Sequence, residues 1–497
     1  MTRLFLLLVI AAGLLGAGPL AAQTVAIRDV ALVPLDSARA VPGQTVVVRG
    51  GVIDAVGASG EVEVPPEATV IDGRGMYLMP GLADMHAHLT HPEAAYYADD
   101  NRASLALMLA HGVTTARVMW GSPGLVAFRD SVRRGEILGP SLSLASPFFQ
   151  GRADSLGAWE AEEAAGDPAI LRVGTEADGR AAARYAREAG YDLAKPYDWI
   201  SPEAYRGLLD EAEALGLPVG GHVPRTVGLA RVLLDGRQGT IEHASAFAPL
   251  AEAAGSPVRD SSQWYHQYFG RYAHYSPEKL DAIAEVVAAS GIWVVPTVLT
   301  SEGPSAPRDT MLVRATDPQT VRYTPEAQRA LWRGYIDGFA TNYARWGVDL
   351  GAARGFALAL VRALHARGAR LLLGTDDTPA MRPHGIAVHR EMALWAEAGL
   401  PPLAILRAAT LDARRYLREA GIAEGTGEIA PGQRADLVLL RADPLADVAN
   451  AREIEAVVAG GRLLTRADLD AMLASVEALY ATTPAPAAPE ASGAESP

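Results

Sequence analysis

The chain contains no cysteine. That absence excludes disulfide scaffolds, thiol catalysis, cysteine-ligated zinc and a lipid-bearing N-terminal cysteine. Positive charge is also scarce: 44 Lys and Arg stand against 58 Asp and Glu, a formal net charge of −14. Such a field repels phosphate backbones, and no stripe gathers the basic residues, so a nucleic-acid partner is not expected. Long apolar runs are missing beyond the first residues, so no later segment reads as a membrane span. What is present is a 49% hydrophobic share over 497 residues, the composition of a globular chain with a sizeable core. At roughly 150 residues per domain, that length suggests about three units, or one large barrel with a smaller partner.

The first residues read as a targeting segment. Arg3 precedes an apolar run from Leu4 to Leu15, followed by Gly16, Gly18, Pro19 and small residues up to Ala22. A basic start, a short apolar stretch and small residues near a cleavage point make residues 1–22 a secretory signal peptide. An uncleaved anchor is the alternative, because Leu20 occupies the third position before that point. After cleavage the chain is expected to be exported, periplasmic or secreted, and free of the membrane.

Residues 23–80 hold short β-rich runs at 25–27, 44–49, 52–56 and 68–72, with Gly50-Gly51 as a hairpin signal. Residues 435–440 and 454–458, with Gly460-Gly461 after them, have the same character. A small β-domain assembled from both chain ends, 23–80 and 421–475, follows from this. Between them, residues 81–420 alternate strand-like and helix-like stretches, as βα units do. Eight strand candidates fall at 82–88, 113–119, 142–149, 192–197, 218–222, 239–243, 292–299 and 369–376, with helical patterns such as 202–215 and 388–398 between. Eight is the number that closes a (β/α)8 TIM barrel. The stretch 245–290, containing Trp264, Tyr265, Tyr268 and Phe269, is then an insertion that covers the mouth, or a surface helix rich in aromatics. Residues 480–497, made of Ala, Pro, Glu and Ser, read as a disordered tail.

His86 and His88 lie one residue apart at the end of the first strand candidate, so their side chains point the same way. Neutral imidazoles in such a pair suit zinc and similar metals. Lys195, His222, His243 and Asp376 close the fourth, fifth, sixth and eighth candidates. Each alone is an ordinary loop residue. Together they place six candidate ligands at the strand ends where barrel enzymes build their sites.

With these residues in view, the chain resembles the amidohydrolase superfamily, in its branch of exported metal-dependent amidohydrolases that includes Xaa-Pro dipeptidases, ochratoxinase-like and imidazolonepropionase-like enzymes. The resemblance rests on Pro80-Gly-Leu-Ala-Asp-Met-His-Ala-His88, Gly112-Val-Thr-Thr115, Gly221-His222-Val-Pro224, Ile241-Glu-His243 and Gly374-Thr-Asp376. Ala408-Ala-Thr410 and the run from Gly427 to Val438 belong to the same pattern, which extends over about 25–475. It implies an α/β architecture: a (β/α)8 barrel with a β-sandwich built from both termini. It also implies two divalent metals, zinc by the donor set. His86, His88 and Asp376 would hold the more buried ion and His222 and His243 the more exposed one. Lys195, N6-carboxylated, would bridge them. The activity implied is hydrolysis of an amide bond by hydroxide generated at the paired metals, with Asp376 and His243 as catalytic residues.

Some positions depart from the family pattern. Arg117-Val118-Met119-Trp120 stands where relatives carry Arg-Asp, and Pro196 follows the lysine. The metal set is intact, so these differences bear on substrate choice. Tyr197, Arg117, Arg382, His384 and Tyr268 are the candidate substrate contacts. A substrate carboxylate would suit Arg382 or His384, because guanidinium and imidazolium both donate to it. The partner expected is a small molecule or dipeptide, of Xaa-Pro type or an N-acyl amino acid. A mononuclear imidazolonepropionase-like or deaminase-like hydrolase of cyclic amides or amidines is the alternative, and a catalytically lapsed exported binding protein is another. Oligomeric state stays open, a homo-oligomer included.

Overall fold

Gly50 and Gly51, at φ +60° and +89°, supply the two left-handed residues that a two-residue hairpin loop requires between Arg49 and Val52. The computed structural model describes residues 23–91, 100–151, 168–261, 270–303, 306–346, 350–377 and 381–482. Residues 1–22, 483–497 and the aromatic run 264–269, including Tyr268, lie outside them, so the readings of those segments concern positions beyond the described structure.

The chain opens with β1 (Thr24–Leu32), β2 (Val41–Arg49), β3 (Val52–Ala58), β4 (Thr69–Asp72) and β5 (Tyr77–Pro80). The middle carries β6 (Leu82–Ala87), β7 (Val113–Val118), β8 (Ser141–Gln150), β9 (Ile170–Arg172) and β10 (Leu193–Pro196). It continues with β11 (Gly220–Gly221), β12 (Thr240–Glu242), β13 (Trp293–Val295) and β14 (Arg370–Leu371). Last come β15 (Leu437–Leu440), β16 (Ile454–Ala459) and β17 (Arg462–Thr465).

Both chain ends enter one eight-stranded sheet, in the order β17-β16-β15-β5-β1-β2-β3, with β4 also on β1. Val46 and Val48 of β2 share one buried cluster with Leu437 and Leu439 of β15 and Val458 of β16. Burying each such side chain contributes about 1.5–3 kcal/mol, which fastens the C-terminal strands to the N-terminal ones. β5, β9 and β17 are strands that the sequence reading did not include.

The middle strands are parallel and form two arcs, β6-β7-β8-β10 and β11-β12-β13-β14. Single parallel bridges, Ala194 to Val219 and Ala87 to Asp377, join the arcs at both seams. All eight expected strands are found, though several are shorter. The seventh ends at Val295: Thr297 sits at φ +45°, and residues Val298–Glu302 turn as a 3-10 helix instead of extending. Between strands run helices Asn101–Ala110, Pro123–Arg133, Glu176–Glu188, Pro202–Ala214 and Pro277–Ser290. Asp100, Ser201 and Ser276 cap three of these by accepting from free N-terminal amides. The closing helix spans Arg466–Thr482 and buries Tyr480, so order reaches past the point where a tail was expected to begin. No helix among the described residues is long and apolar enough to cross a membrane.

Candidate metal centre

β6 delivers His86 and His88 to one side, and the segment after β14 brings Asp376 against them. Gly374 makes this approach possible: a Cβ there would lie 2.7 Å from the His86 nitrogen and 2.5 Å from Val295 Cγ1. The amide of Asp376 then donates to the His86 carbonyl at 2.7 Å. His88 Nε2 lies 2.9 Å, and His86 Nε2 3.6 Å, from Asp376 Oδ1. Ligand atoms of these three residues all fall within 4.8 Å of one another, the spacing of a metal site. Asp84 stands behind them as a brace. It accepts from the amides of His86 and Thr375 at 3.0 and 3.1 Å and from the Thr375 hydroxyl at 2.6 Å.

β11 and β12 end in the other two imidazoles. The Nε2 atoms of His222 and His243 face each other at 2.9 Å, and the His86 and His243 ring centroids are 4.6 Å apart. The opposite nitrogens of three rings are held by oxygens. His86 Nδ1 meets Glu242 Oε2 at 2.8 Å, His222 Nδ1 meets Asp198 Oδ1 at 2.6 Å, and His243 Nδ1 meets Thr297 Oγ1 at 2.8 Å. With the proton on Nδ1 in each, Nε2 carries a lone pair toward the centre. Lone pairs facing one another at this range repel, and a cation reconciles them. Lys195 Nζ and His86 Nε2 are buried without a hydrogen-bond partner, as atoms reserved for a ligand are. The donor set of nitrogen and carboxylate oxygen therefore fits a divalent metal.

Electrostatics agree. Burial pushes His86 and His88 below the ordinary imidazole range; the Lys195 and His243 charges push His86 further down, while the hydrogen bond to Asp376 partly offsets the shift of His88. Burial, with the neighbouring His222, takes His243 to about 3. Burial works to raise Asp376, but the His88 hydrogen bond and the charges of His243 and Arg382 outweigh it and keep it a carboxylate. Lys195 is brought down to about 7 by burial, against the pull of Glu242 and Asp376. His86, His88, His243 and Asp376 thus favour the protonation state in which each can bind a metal, and Lys195 is eased toward the neutral amine. His243, Thr297 and Asp376 are all non-glycine residues at positive φ, so backbone strain gathers here.

The structure brings His86, His88, Lys195, His222, His243 and Asp376 to one centre. The proposed substrate contacts divide. Arg117 has no exposed surface; its guanidinium donates to the Met85 carbonyl, Thr240 Oγ1 and Glu242 Oε1, which places it in the support of His86. His384 is buried with Nδ1 2.6 Å from Asp377 Oδ2. Asp377 in turn accepts from the His88 amide at 3.0 Å. Arg382 remains beside the centre, Nη1 3.7 Å from Asp376 Oδ2. Tyr197 packs its ring 4.3 Å from His222 and 4.1 Å from Phe148, at the end of a stack that continues to Trp120. Glu242, Asp198 and Thr297 were not anticipated as ring holders. Glu242 stood inside a quoted motif, but its partner lies 156 residues away.

Residues 77–464 match the Amidohydrolase family. An adenine deaminase of Rubrobacter xylanophilus is 44% identical over 66 residues, which are 13% of this chain and 11% of that protein. A bottromycin amidohydrolase superposes with a TM-score of 0.71 at 23% identity, over 95% of this chain and 93% of its own. A Xaa-Pro dipeptidase with bound methionine superposes with a TM-score of 0.63 at 18% identity, over 89% of this chain and 100% of its own. The family match spans most of the sequence and encloses every candidate ligand of the centre. The chain belongs to the amidohydrolase family, a hydrolase of carbon–nitrogen bonds, and its His86, His88 and Asp376 form a group that could hold a metal ion.

Proposed function

We propose that this protein is a binuclear, zinc-dependent amide hydrolase acting on an N-acyl amino acid or a dipeptide of Xaa-Pro type. The observation that carries the reading is Lys195. Its Nζ is fully buried, has no hydrogen-bond partner and acts electrostatically on His86, His88, His243 and Asp376, with its pKa brought to about 7. An ammonium there would repel metal ions. A neutral amine can instead add carbon dioxide and release one proton, and the carbamate so formed would offer metal ions two oxygens sharing one negative charge. The seam bridges of the parallel arcs support a closed (β/α)8 barrel with the centre at its C-terminal end, and the terminal sheet supports a β-sandwich folded round its own core. The sequence of residues 1–22 supports export.

Bound there, two divalent ions would polarise a substrate carbonyl and bring the pKa of water toward neutrality. The chain supplies the rest. Glu242, Asp198 and Thr297 hold three rings in the tautomer that turns Nε2 inward. Asp376, kept as the carboxylate, accepts the proton of the attacking water and returns it to the leaving nitrogen.

The test is metal content together with turnover on a panel of N-acyl amino acids and Xaa-Pro dipeptides. About two metals per chain and chelator-sensitive hydrolysis are expected. Lys195→Ala should lose one metal and most activity, and retention of both ions by that variant would sink the binuclear reading. About one metal and no amide cleavage would favour cyclic-amide or deaminase chemistry.

A further inference from the structure

Two cavities meet at the line between His222 and His243. The smaller, about 200 Å³, is bounded by Asp376, Arg382, Tyr272 and Phe356. The larger, about 610 Å³, has apolar walls at Val223, Val227, Leu229 and Leu250. Ser245 borders both. Asp376 borders only the smaller, so the centre has two unlike sides.

We propose that this asymmetry fixes which way a substrate lies and selects an amino acid acylated on nitrogen, with Arg382 as the residue that recognises its free carboxylate. The assignment rests on the amide-hydrolase reading and deepens it. The leaving nitrogen must lie near Asp376 to receive its proton, so the amine half belongs in the smaller cavity. Arg382 borders that same cavity, 5% exposed, with Nη1 3.7 Å from Asp376 Oδ2. A guanidinium so placed matches a carboxylate attached one carbon from the leaving nitrogen, and its planar fork can donate to both oxygens.

The larger cavity argues against a free amino terminus in the acyl half. Its bordering carboxylates are Asp198 and Glu242, and both are engaged. Asp198 accepts from His222 and Arg225, and Glu242 from His86 and Arg117. Arg225 and Arg271 on the same walls are paired with Asp198 and Glu252. Among the described lining residues a substrate ammonium would find no carboxylate that is not already paired, whereas a neutral acyl chain buries against valine and leucine. In the reaction, the water oxygen bonds to the carbonyl carbon and the C–N bond breaks. The proton travels through Asp376 to nitrogen, and a carboxylic acid and a free amino acid leave.

The test uses the metal-replete enzyme on N-hexanoyl-leucine, N-hexanoyl-leucinamide and norleucyl-leucine, scored by release of the leucine half. The first and third differ only by an ammonium group, the first and second only by the carboxylate. We expect kcat/KM for N-hexanoyl-leucine to exceed the other two by about 100-fold or more. Arg382→Met should narrow the acid–amide difference to within about threefold, chiefly through KM, and weaken binding of free leucine in calorimetry. Arg382→Lys should recover part of both, which separates recognition from misfolding. Equal or better cleavage of norleucyl-leucine, or an unchanged acid–amide ratio in a folded, metal-loaded Arg382→Met, would overturn the assignment while leaving the amide-hydrolase reading intact. No C–N cleavage at all by metal-loaded protein would overturn that reading, and this assignment with it.

Discussion

The two sides of the metal centre use the same device in different surroundings. On one side Glu242 is gripped by His86 and Arg117, and all three side chains have no exposed surface. On the other, Asp198 is gripped by His222 and Arg225, with side-chain exposures of 15%, 18% and 26%. Each is a carboxylate held between an imidazole and a guanidinium. The dry version gains strong attraction but leaves a buried charge stranded if one member is lost. The wet version can recruit water when broken. The dry side therefore serves folding as well as the aim of His86, and the wet side orients His222, which the proposed function makes a metal ligand near substrate.

Breaking the dry side should have the largest effect. Glu242→Gln leaves Arg117 as a buried, unbalanced cation and lets the His86 ring turn; it should destabilise the protein by about 3–5 kcal/mol and empty the His86–His88–Asp376 site. Thermal unfolding and metal content check this. Adding Arg117→Met should recover much of the stability and none of the metal. Asp198→Asn should act differently: metal affinity at His222 and His243 falls about 10–100-fold, with unfolding nearly unchanged. Chelator competition measures it. If the two substitutions destabilise equally, the contrast between dry and wet sides is wrong.

These partnerships explain what the sequence could reveal. The candidate ligands that gather at the centre could be picked out because they lie at or shortly after the ends of strands, where apolar residues give way to turn residues. The eight parallel strands were legible for the same reason, even β11, which keeps only two paired residues. The holders were not, because nothing local marks them. Asp198 lies 24 residues from its ring and Thr297 lies 54 from His243. Arg117 was read as a substrate contact because it opens the stretch Arg117-Val118-Met119-Trp120 that departs from the family pattern. Only the fold shows that it points into the packed interior, where Glu242 neutralises it.

A third pair of rings sharpens the comparison by having no carboxylate behind it. His111 Nδ1 lies 2.8 Å from the Leu107 carbonyl, and His389 Nε2 lies 2.9 Å from the His111 carbonyl. Burial takes His111 to about 4 and, helped by His111, takes His389 to about 3. Both folded values lie below the ordinary 6.5, so the unfolded chain binds protons that the folded rings refuse. Their stability contribution is present above pH 6.5 and falls as pH drops toward 4, by about 1.4 kcal/mol per pH unit for each ring. His389→Gln keeps a donor for the carbonyl and should remove one ring's share of that slope. Denaturant unfolding at several pH values between 7.5 and 4.5 checks it, and identical slopes in the two proteins would contradict the account.

The smallest effect belongs to Thr297, which holds His243 with a hydroxyl in place of a carboxylate. Thr297 is fully buried at φ +45°, a conformation that a β-branched residue adopts only when its surroundings insist. Glu391 supplies that insistence by accepting from the amides of Val298 and Leu299 at 2.9 and 2.7 Å. Thr297→Val preserves the shape and removes the oxygen that accepts from Nδ1. Metal affinity at the wet side should then fall by a few-fold, about 1 kcal/mol, less than for Asp198→Asn because no charge is lost. Thr297→Ser keeps the oxygen and relaxes the branching, so affinity should hold while stability rises slightly. If valine and serine weaken the metal equally, the strained turn and not the hydroxyl aims His243, and the backbone of 297–299 becomes the third holder.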